Sequence, residues 1–248
     1  MHDNFIGSTA LVTGAGSGIG KATACMMAAR GVAVIVNDIS DEACERTVGD
    51  ILNAGGKAMA AVADVASKTQ LQQAVREGVD KLGPIDIIVN NAGISSNRKL
   101  FDEISDDDID KVFNINIKGS YYTVQTAIEG MKERNRGCIV NVSSIFGLVG
   151  APRSSHYCGA KAAVLGITRS WAKEFARWNI TVNAIAPGGT LTAMTEAYPN
   201  YAQEAKNRVP LGRFGTAEEM AHTIMFLATK GANYITGQVI SPNGGEVI

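Results

Sequence analysis

Short runs of apolar, largely β-branched residues alternate with longer helical segments along most of the 248-residue chain. The runs are apolar at successive positions, which is typical of strands buried on both faces of a sheet. Strands that alternate with helices predict an α/β fold, in which a mainly parallel, doubly wound sheet of about seven strands lies between two helical layers. The predicted strands cover residues 10–13, 32–37, 58–63, 85–90, 138–142, 181–186 and 238–240.

The helices predicted between these strands span residues 18–30, 40–53, 68–81, 106–133, 157–177 and 216–229. No linker, repeat or low-complexity stretch interrupts the pattern, so residues 1–248 are expected to form a single domain. Two longer irregular stretches remain, at 93–105 and 188–215. Loops of this length in a compact domain usually carry function, and residues 188–215 are therefore expected to form a substrate-binding loop or lid.

Charge and composition exclude several classes of protein. The chain has 23 Lys and Arg against 24 Asp and Glu, and this balance argues against nucleic acid or an anionic membrane as the main partner. A hydrophobic fraction of 46% excludes wholesale disorder. No apolar run approaches the ~18 residues that span a bilayer, and the first residues lack the pattern of a signal peptide.

The cysteines and histidines show no metal-binding pattern. The 4 cysteines form no C-x-x-C pair, and none of the 3 histidines stands at ligand spacing to a cysteine. The sequence therefore predicts no metal site, and it predicts reduced thiols in a cytoplasmic protein.

A glycine-rich turn follows the first predicted strand and opens the first helix. Gly14 permits a tight turn, Gly18 lets the backbone approach a ligand, and Gly20 lets the helix pack closely on the strand. The free N–H groups of a helix N-terminus attract anions, so the turn is suited to the pyrophosphate of a dinucleotide. A purely structural turn is the alternative, which the flanking strand and helix make less favoured.

Asp38 directly follows the second predicted strand, close to the ~20-residue separation at which a carboxylate binds the adenosine ribose. A carboxylate there would repel a 2′-phosphate. Neither Ile39 nor Ser17 is basic, so NAD is favoured over NADP. The alternative role for Asp38 is that of a turn former at the strand end.

From about Ile6 to Gly245 the chain resembles the short-chain dehydrogenase/reductases, in their form of roughly 250 residues. The resemblance rests on the glycine-rich turn, on Asp64-Val65 after the third strand and on Asn90-Asn91-Ala92-Gly93 after the fourth. It also rests on Pro187-Gly188 with Thr192 and Met194, and on the family's catalytic tetrad. The tetrad residues, in order and spacing, are Asn116, Ser144, Tyr157 and Lys161.

The resemblance implies a Rossmann fold, a nicotinamide dinucleotide cofactor and a homotetramer. It implies that Asp64 and Val65 contact the adenine, and that Lys161 also binds the nicotinamide ribose. Asn243 departs from the family's frequent Asp, which is expected to concern the C-terminal turn or a subunit contact. The residues expected to contact the cofactor are Gly14, Ser17, Gly18, Ile19, Gly20, Asp38, Asp64, Val65, Asn91, Gly93, Tyr157, Lys161, Pro187, Gly188, Thr190 and Thr192.

The tetrad also makes chemical sense from its residue types. Tyr157 and Lys161 stand at i and i+4, so they share one face of a helix. A nearby ammonium lowers the pKa of a phenol, which would let Tyr157 take a proton from an alcohol or give one to a carbonyl. Ser144 would hold the reacting oxygen. The resemblance also implies that Asn116 holds a water that links Lys161 to solvent. Ser143 is the competing serine, and the family's spacing to Tyr157 favours Ser144.

The substrate side is less defined by the sequence. The residues expected to bind substrate are Ser144, Phe146, Arg153, Ser154, Tyr157 and Met194. Arg98 or Arg153 could meet an anionic group of the substrate, although a solvated loop charge is the favoured alternative for each. His156 is expected to pack at the helix start rather than act as a base.

Three functions are compatible with these residues. The leading hypothesis is an NAD-dependent oxidoreductase that transfers a hydride between the cofactor and a secondary alcohol or ketone. The second is a 3-oxoacyl-thioester (acyl-carrier-protein) reductase, against which Asp38 counts because such enzymes usually use NADPH. The third is a non-catalytic dinucleotide sensor, which the complete tetrad disfavours. The expected partners are a small-molecule substrate and further copies of the chain, with no nucleic acid and no membrane.

Overall fold

A seven-stranded parallel sheet forms the centre of the protein, as predicted. The structure is a computed structural model that describes residues 8–96, 98–192 and 207–248. The sheet has the order β3-β2-β1-β4-β5-β6-β9, and two further short strands, β7 and β8, pair separately in parallel. The strands are β1 (Thr9–Thr13), β2 (Ala33–Asp38), β3 (Lys57–Val62), β4 (Ile85–Asn90), β5 (Gly137–Val142), β6 (Ile180–Ile185), β7 (Thr190–Leu191), β8 (Gly215–Thr216) and β9 (Val239–Ile240).

Helices cover both faces of this sheet. They are α1 (Gly18–Ala29), α2 (Asp41–Asn53), α3 (Lys68–Leu82), α4 (Asp106–Phe113), α5 (Gly119–Gln125), α6 (Ile128–Glu133), α7 (Phe146–Val149), α8 (Ser155–Phe175) and α9 (Ala217–Leu227). Short 3₁₀ turns occur at Phe101–Glu103, Ala176–Trp178 and Lys230–Ala232. Side chains cap several helix starts; in α2, for example, Ser40 Oγ accepts a hydrogen bond from the Ala43 N–H at 3.3 Å.

The helix predicted over 106–133 is continuous from α4 through a π-helical stretch at Asn114–Lys118 to the end of α5, but a turn at residues 126–127 separates α6 from it. The Asn116 side chain donates to the Val112 carbonyl at 3.0 Å, the acceptor that the regular helix would give to the Asn116 N–H. Further along, the Thr126 hydroxyl donates to the Thr123 carbonyl at 2.7 Å, and α5 ends there. Side-chain donors thus compete with the backbone ladder at the π-helical stretch and at the turn before α6.

Other element boundaries differ by one to a few residues from the prediction. Helix α8 begins at Ser155, before Tyr157, and the short elements α7, β7 and β8 were not predicted. Of the lid expected at 188–215, the structure describes 188–192 and 207–215; its ends are joined where Thr190 pairs with Gly215 and Leu191 with Thr216.

Two apolar layers pack against the sheet. Helices α1, α2 and α9 supply one layer, with Met27, Ile51 and Ile224 fully or almost fully buried. Helices α3, α5, α6 and α8 supply the other, which includes Leu71 and Met131. Successive strands are added toward one edge of the sheet from β1 to β3 and toward the other edge from β4 onward, so the strand order reverses between β1 and β4. In parallel sheets the crevice at such a point is where ligands bind.

Candidate active site

A cavity of about 340 Å³ opens at the carboxyl edge of the sheet, above the ends of β1, β4, β5 and β6. It runs from Asp38 at one end to the segment containing Phe214 at the other. Most of the residues predicted from the sequence line it, namely Gly14, Ser17, Gly18, Ile19, Asp38, Asn91, Gly93, Asn116, Ser144, Phe146, Ser154, Tyr157, Lys161, Pro187, Gly188, Thr190 and Thr192.

The glycine-rich turn needs its glycines for contacts within the protein. Gly14 has φ +62°, and a Cβ there would lie 2.9 Å from the Cα of Ala92. Gly20 lies outside the lining because it packs α1 against the turn, where a Cβ would strike the Gly14 carbonyl. The Asn91 side-chain amide donates to the carbonyls of Thr13 at 2.9 Å and Gly14 at 3.1 Å. Asn91 therefore holds the shape of the turn.

Asp38 is fixed by two backbone groups. One carboxylate oxygen accepts from the Gly16 N–H at 3.0 Å, and the other accepts from the Ser40 N–H at 3.1 Å. A Cβ on Gly16 would lie 2.8 Å from that first oxygen, so only glycine fits this approach. The sequence analysis did not predict a role for Gly16. Asp38 thus forms the strand-end turn while its carboxylate faces the cavity.

Asp64 and Val65 lie outside the cavity lining. The Asp64 carboxylate accepts from the Ala66 N–H at 2.9 Å, and a Cβ on Gly119 would lie 2.8 Å from Val65 Cγ2. Both residues serve local packing here, and their contact with an adenine ring stays a prediction.

Lys161 is a buried cation of the cavity wall. Its Nζ donates to the Val142 carbonyl at 3.0 Å and lies 5.8 Å from the centre of the Tyr157 ring. Burial lowers the pKa of Lys161 to about 8. Within residues 8–96, 98–192 and 207–248, Lys161 forms no ion pair with a carboxylate.

Asn116 stands next to this lysine. Its amide nitrogen donates to the carbonyls of Ile94 at 3.2 Å and Val112 at 3.0 Å, whereas its Oδ1 is buried and has no hydrogen-bond partner. A Cβ on Gly93 would lie 2.5 Å from that oxygen and 3.3 Å from Lys161 Nζ. The π-helical stretch thus brings an unsatisfied acceptor to the side of the buried ammonium.

The two adjacent serines have different surroundings. The Ser143 hydroxyl donates to the Lys161 carbonyl at 2.8 Å, which ties the end of β5 to α8. Ser144 Oγ accepts from the Phe146 N–H at 3.2 Å, at the start of α7. Both residues line the cavity, but the hydroxyl of Ser143 is committed to the backbone of α8.

These features fit a dinucleotide. The cavity passes from a fixed carboxylate, along the start of α1, to a buried cation and a tyrosine. Gly18 has φ +52°, and a Cβ there would lie 3.3 Å from Thr192 Cγ2, so its lack of a side chain keeps the passage open. Backbone N–H groups at such a helix start suit a pyrophosphate.

Comparison with known proteins agrees with this geometry. A family described as enoyl-(acyl carrier protein) reductase matches residues 14–246. The 3-oxoacyl-[acyl-carrier-protein] reductase FabG of Thermotoga maritima is 45% identical over 98% of this chain and 98% of its own length. The chain belongs to the short-chain dehydrogenase/reductase family. It is therefore an oxidoreductase, and the family implies a nicotinamide dinucleotide as cofactor.

Two solved structures of the family are also similar. A gluconate 5-dehydrogenase from Burkholderia cenocepacia in complex with NADP and tartrate superposes with a TM-score of 0.92, at 32% identity, over 99% of this chain and 98% of that one. A 3-oxoacyl-[acyl-carrier protein] reductase from Brucella melitensis with bound NAD superposes with a TM-score of 0.91, at 31% identity, over 98% and 92%.

Two linked loops carry several of the residues predicted from the sequence to contact substrate. The hydroxyls of Ser96 and Ser154 share a hydrogen bond of 2.6 Å, and both residues are buried. Arg98 lines the cavity, whereas Arg153 lies outside the lining, because its Nε donates to the Arg98 carbonyl at 3.1 Å. Ser96 was not identified from the sequence, since its partner lies 58 residues away.

His156 precedes the family's tyrosine and is buried, with its Nδ1 lacking a hydrogen-bond partner. This burial is what the sequence led us to expect of it. Met194, predicted to contact substrate, lies outside the described residues.

The remaining chemistry-bearing side chains form no further centre in the part of the chain that the structure describes. No group of three or more His, Cys, Asp or Glu side chains could hold a metal ion there. Burial raises the pKa of the Cys44 and Cys138 thiols to about 11. Among the described helices, none is both long and apolar enough to cross a bilayer.

Proposed function

We propose that the protein is an NAD-dependent oxidoreductase that interconverts a secondary alcohol and its ketone, with Tyr157 as the general acid and base. One observation carries the proposal: the buried ammonium of Lys161 lies 5.8 Å from the Tyr157 ring in a cavity that also contains Ser144. A desolvated cation favours the phenolate form of a neighbouring tyrosine, and a phenolate can accept the proton of an alcohol.

The proposed roles follow from the contacts of each side chain. Ser144 donates its hydroxyl hydrogen to the reacting oxygen, while its Oγ is oriented by the Phe146 N–H. Tyr157 takes the hydroxyl proton in oxidation and returns it to the carbonyl oxygen in reduction. The cofactor, when bound, accepts or supplies the hydride.

The proton on Tyr157 needs a route to solvent. We assign this route to Lys161 and to a water held by Asn116. The Asn116 Oδ1 supports this role, because it is a buried acceptor without a partner beside the Lys161 ammonium. Ser143 acts differently, since its bond to the Lys161 carbonyl positions the helix that carries both Tyr157 and Lys161.

Turnover of alcohols tests this function. Purified protein with NAD and a panel of secondary alcohols should produce reduced cofactor, measured by its absorbance. Tyr157→Phe should remove nearly all turnover, whereas Tyr234→Phe, at a fully exposed tyrosine, should leave it unchanged. Activity retained by Tyr157→Phe would reject the assigned mechanism.

NAD preference is the second part of the proposal. The Asp38 carboxylate is held at the cavity by Gly16 and Ser40, where it can accept hydrogen bonds from ribose hydroxyls but would repel a 2′-phosphate. Titration should give tighter binding of NADH than of NADPH. Asp38→Ala should reduce the difference between the affinities for NADH and NADPH. If the wild-type protein binds NADPH as tightly as NADH or more tightly, the NAD assignment is contradicted.

Reduction of a 3-oxoacyl thioester is the second candidate function. The relative from Thermotoga maritima, named as such a reductase, supports it. Acetoacetyl thioesters offered with NADH and NADPH separate the candidates: rapid reduction with NADPH, with no turnover of simple alcohols, would favour the reductase. A non-catalytic sensor ranks last because the cavity contains all four tetrad residues, and it would be supported by nucleotide binding without turnover.

We further propose that the chain is a single domain, assembles as a homotetramer and works in the cytoplasm. Exposed apolar side chains on α4, α5 and α9 support the assembly, among them Phe113, Tyr121 and Phe226. The β7–β8 pairing, which joins the two ends of residues 188–215, supports the role of that segment as a substrate lid.

A further inference from the structure

A pair of buried hydroxyls lines the cavity close to Tyr157. Ser96 lies in the loop after β4 and Ser154 directly before α8, and their Oγ atoms are 2.6 Å apart. The two residues are only 5% and 6% exposed, and both line the cavity. The proton transfer proposed for Tyr157 uses neither hydroxyl, so this Ser96–Ser154 pair requires an explanation of its own.

The Ser96–Ser154 pair has a donor to spare. Two hydroxyls carry two hydrogens, and their shared bond uses one of them whichever oxygen donates. Within residues 8–96, 98–192 and 207–248, neither hydroxyl makes a second hydrogen bond. A buried donor without an acceptor is destabilising, and the cavity is the place from which an acceptor can reach this one. The pair therefore presents a hydroxyl hydrogen to a ligand.

Ser154 does not use its hydroxyl in the way that its position favours. It is the N-cap residue of α8, where a serine hydroxyl usually accepts a hydrogen bond from the first turn, yet it makes no such bond. The N-cap hydroxyls of α2, α4 and α9, which belong to Ser40, Ser105 and Thr216, all make it. A local rule that is broken at one helix start indicates that this hydroxyl serves the cavity.

The two loops that carry the pair are fixed to each other. Beside the serines, the Arg153 Nε donates to the Arg98 carbonyl at 3.1 Å, and the two arginines have φ values of +62° and +52°, which few non-glycine residues adopt. Lys99 anchors the first loop to α4 through an ion pair of 2.6 Å with Asp108. The hydroxyls are thus in place before a ligand binds, and such preorganised groups lose little freedom on binding.

The order of residues along α8 separates the pair from the cofactor. Ser154 lies three residues before Tyr157, and Lys161 lies four residues after it. The Cys158 N–H bonds to the Ser154 carbonyl at 2.9 Å and closes the first turn, so the three side chains occupy successive turns. The nicotinamide ribose is expected on the Lys161 side. The pair lies on the other side of Tyr157, where the rest of the substrate belongs.

We infer that the substrate carries a second, uncharged oxygen near its reacting carbon, and that Ser96 and Ser154 bind this oxygen. The inference rests on the proposed function, because it names the substrate class of the same cavity. A pair of neutral hydroxyls can donate and accept, so it fits a hydroxyl or a carbonyl group. The substrates are then diols and the corresponding hydroxy ketones, and alcohols or ketones with a single oxygen are poorer substrates.

Ketones with one common carbon skeleton test the inference. We compare 3-hydroxybutan-2-one and 4-hydroxybutan-2-one with butan-2-one, using NADH, and measure kcat and KM separately. The wild-type protein should prefer at least one hydroxy ketone by about 10-fold or more in kcat/KM. Ser96→Ala and Ser154→Ala should each lower this preference by about 5- to 10-fold, mainly through KM.

The variants decide the question because a neighbouring hydroxyl also makes a carbonyl more reactive by itself. That intrinsic effect is the same in every variant, so only a change in the preference reports on the serines. If one alanine variant does not fold, the other provides the same test. A preference that is equal in the wild type and in the folded variants would overturn the inference.

A matched control separates the pair from the general effect of losing a buried hydroxyl. Thr9→Val removes a hydroxyl that is also buried and donates to the Leu82 carbonyl at 2.8 Å, at the start of β1 and away from the cavity. It should leave the preference for the hydroxy ketone unchanged. The affinity for NADH should be unchanged in Ser96→Ala and Ser154→Ala. A loss of NADH affinity as large as the loss in kcat/KM would assign the pair to the cofactor and overturn the inference.

A binding measurement distinguishes this inference from the proposed function. Butane-2,3-diol, butane-1,3-diol and butan-2-ol are titrated into the NADH-saturated protein, with the fluorescence of the bound NADH as signal. At least one diol should bind more tightly than butan-2-ol, and Ser96→Ala should remove the difference. Tighter binding of a diol without turnover of any substrate would keep the serine site and reject the proposed function.

The opposite result is equally informative. Tyr157-dependent reduction of butan-2-one that is as efficient as that of both hydroxy ketones, with no tighter binding of either diol, would keep the proposed function and reject the serine site. Neither turnover nor binding of any of these compounds would reject both.

Discussion

Lys161 places an ionisable group where its charged form is disfavoured. Its pKa is about 8 in the folded protein because of burial, against an unfolded value near 10.5. Between these two pH values the unfolded chain binds more protons than the folded one, so the lysine's contribution makes stability rise with pH. Below about pH 8 the buried charge of Lys161 lowers the free energy of unfolding by its full amount.

Lys161→Met should remove this pH dependence. Both proteins are measured without cofactor. As pH rises from 8 to 10, we expect the melting temperature of the wild type to rise relative to that of the variant. Thermal unfolding at several pH values measures it. The lost bond to the Val142 carbonyl shifts the whole curve but not its slope, so a pH-independent difference would contradict the burial of a charged lysine.

The two serines should separate stability from catalysis. Ser143→Ala removes a buried bond to the Lys161 carbonyl and should cost about 1–2 kcal/mol in the free energy of unfolding. Ser144→Ala should leave stability nearly unchanged and lower kcat by about 10²- to 10³-fold. Denaturant unfolding and steady-state kinetics on both variants check this; the opposite pattern would make Ser143 the catalytic serine.

The site residues that could be predicted are those that lie close together in the sequence. Tyr157 and Lys161 are four apart on one helix, and Gly14, Gly18 and Gly20 lie in one turn, so their proximity is readable from the sequence. Ser96 with Ser154, and Arg208 with Glu246, are brought together only by the path of the chain. No local pattern indicates such pairs. Of the two arginines considered from the sequence, Arg98 lines the cavity and Arg153 does not, and the substrate contact of either stays a prediction.

Among the elements, the π-helical stretch between α4 and α5 has the closest link to the site, because it places Asn116 against Gly93 and Lys161. Hydrophobic periodicity predicts a helix here but not its π-helical stretch, where the Asn116 side chain donates to the Val112 carbonyl. Strands β1 to β6 were predicted to within one residue at most ends, since buried parallel strands are continuous apolar runs.

Gly93→Ala tests how tightly the turn after β4 packs on the π-helical stretch that contains Asn116. The new Cβ would lie 2.5 Å from Asn116 Oδ1, so we expect a loss of about 1–3 kcal/mol in stability and a reduced kcat. Gly49→Ala is the matched control, because that position in α2 is open and alanine should stabilise the helix by about 0.5–1 kcal/mol. If Gly93→Ala has wild-type stability, the Asn116 side chain can move away from the new Cβ without destabilising the protein, which would contradict the expectation.

On the scale of the whole molecule, the exposed apolar side chains predict an assembly. Sedimentation should give four times the 26.1-kDa mass of the chain. Phe113→Asp on α4 and Phe226→Asp on α9 should each reduce the mass of the assembly, because a charge would be buried in an interface. Leu52→Asp, at an apolar residue of α2 that is also exposed, should not; a wild-type monomer would reject the tetramer.

The described lining residues lie at one edge of the sheet, and the turns at the opposite edge contribute none of them. There, Gly31 and Gly55 occupy the turns from α1 to β2 and from α2 to β3, with φ of +87° and +81° and open space where a Cβ would stand. Chain tips of this kind tolerate inserted segments. A fluorescent domain placed between residues 54 and 56 would then travel with the enzyme without touching its ligands, and would offer a means of immobilising or tracking it with the cavity unobstructed.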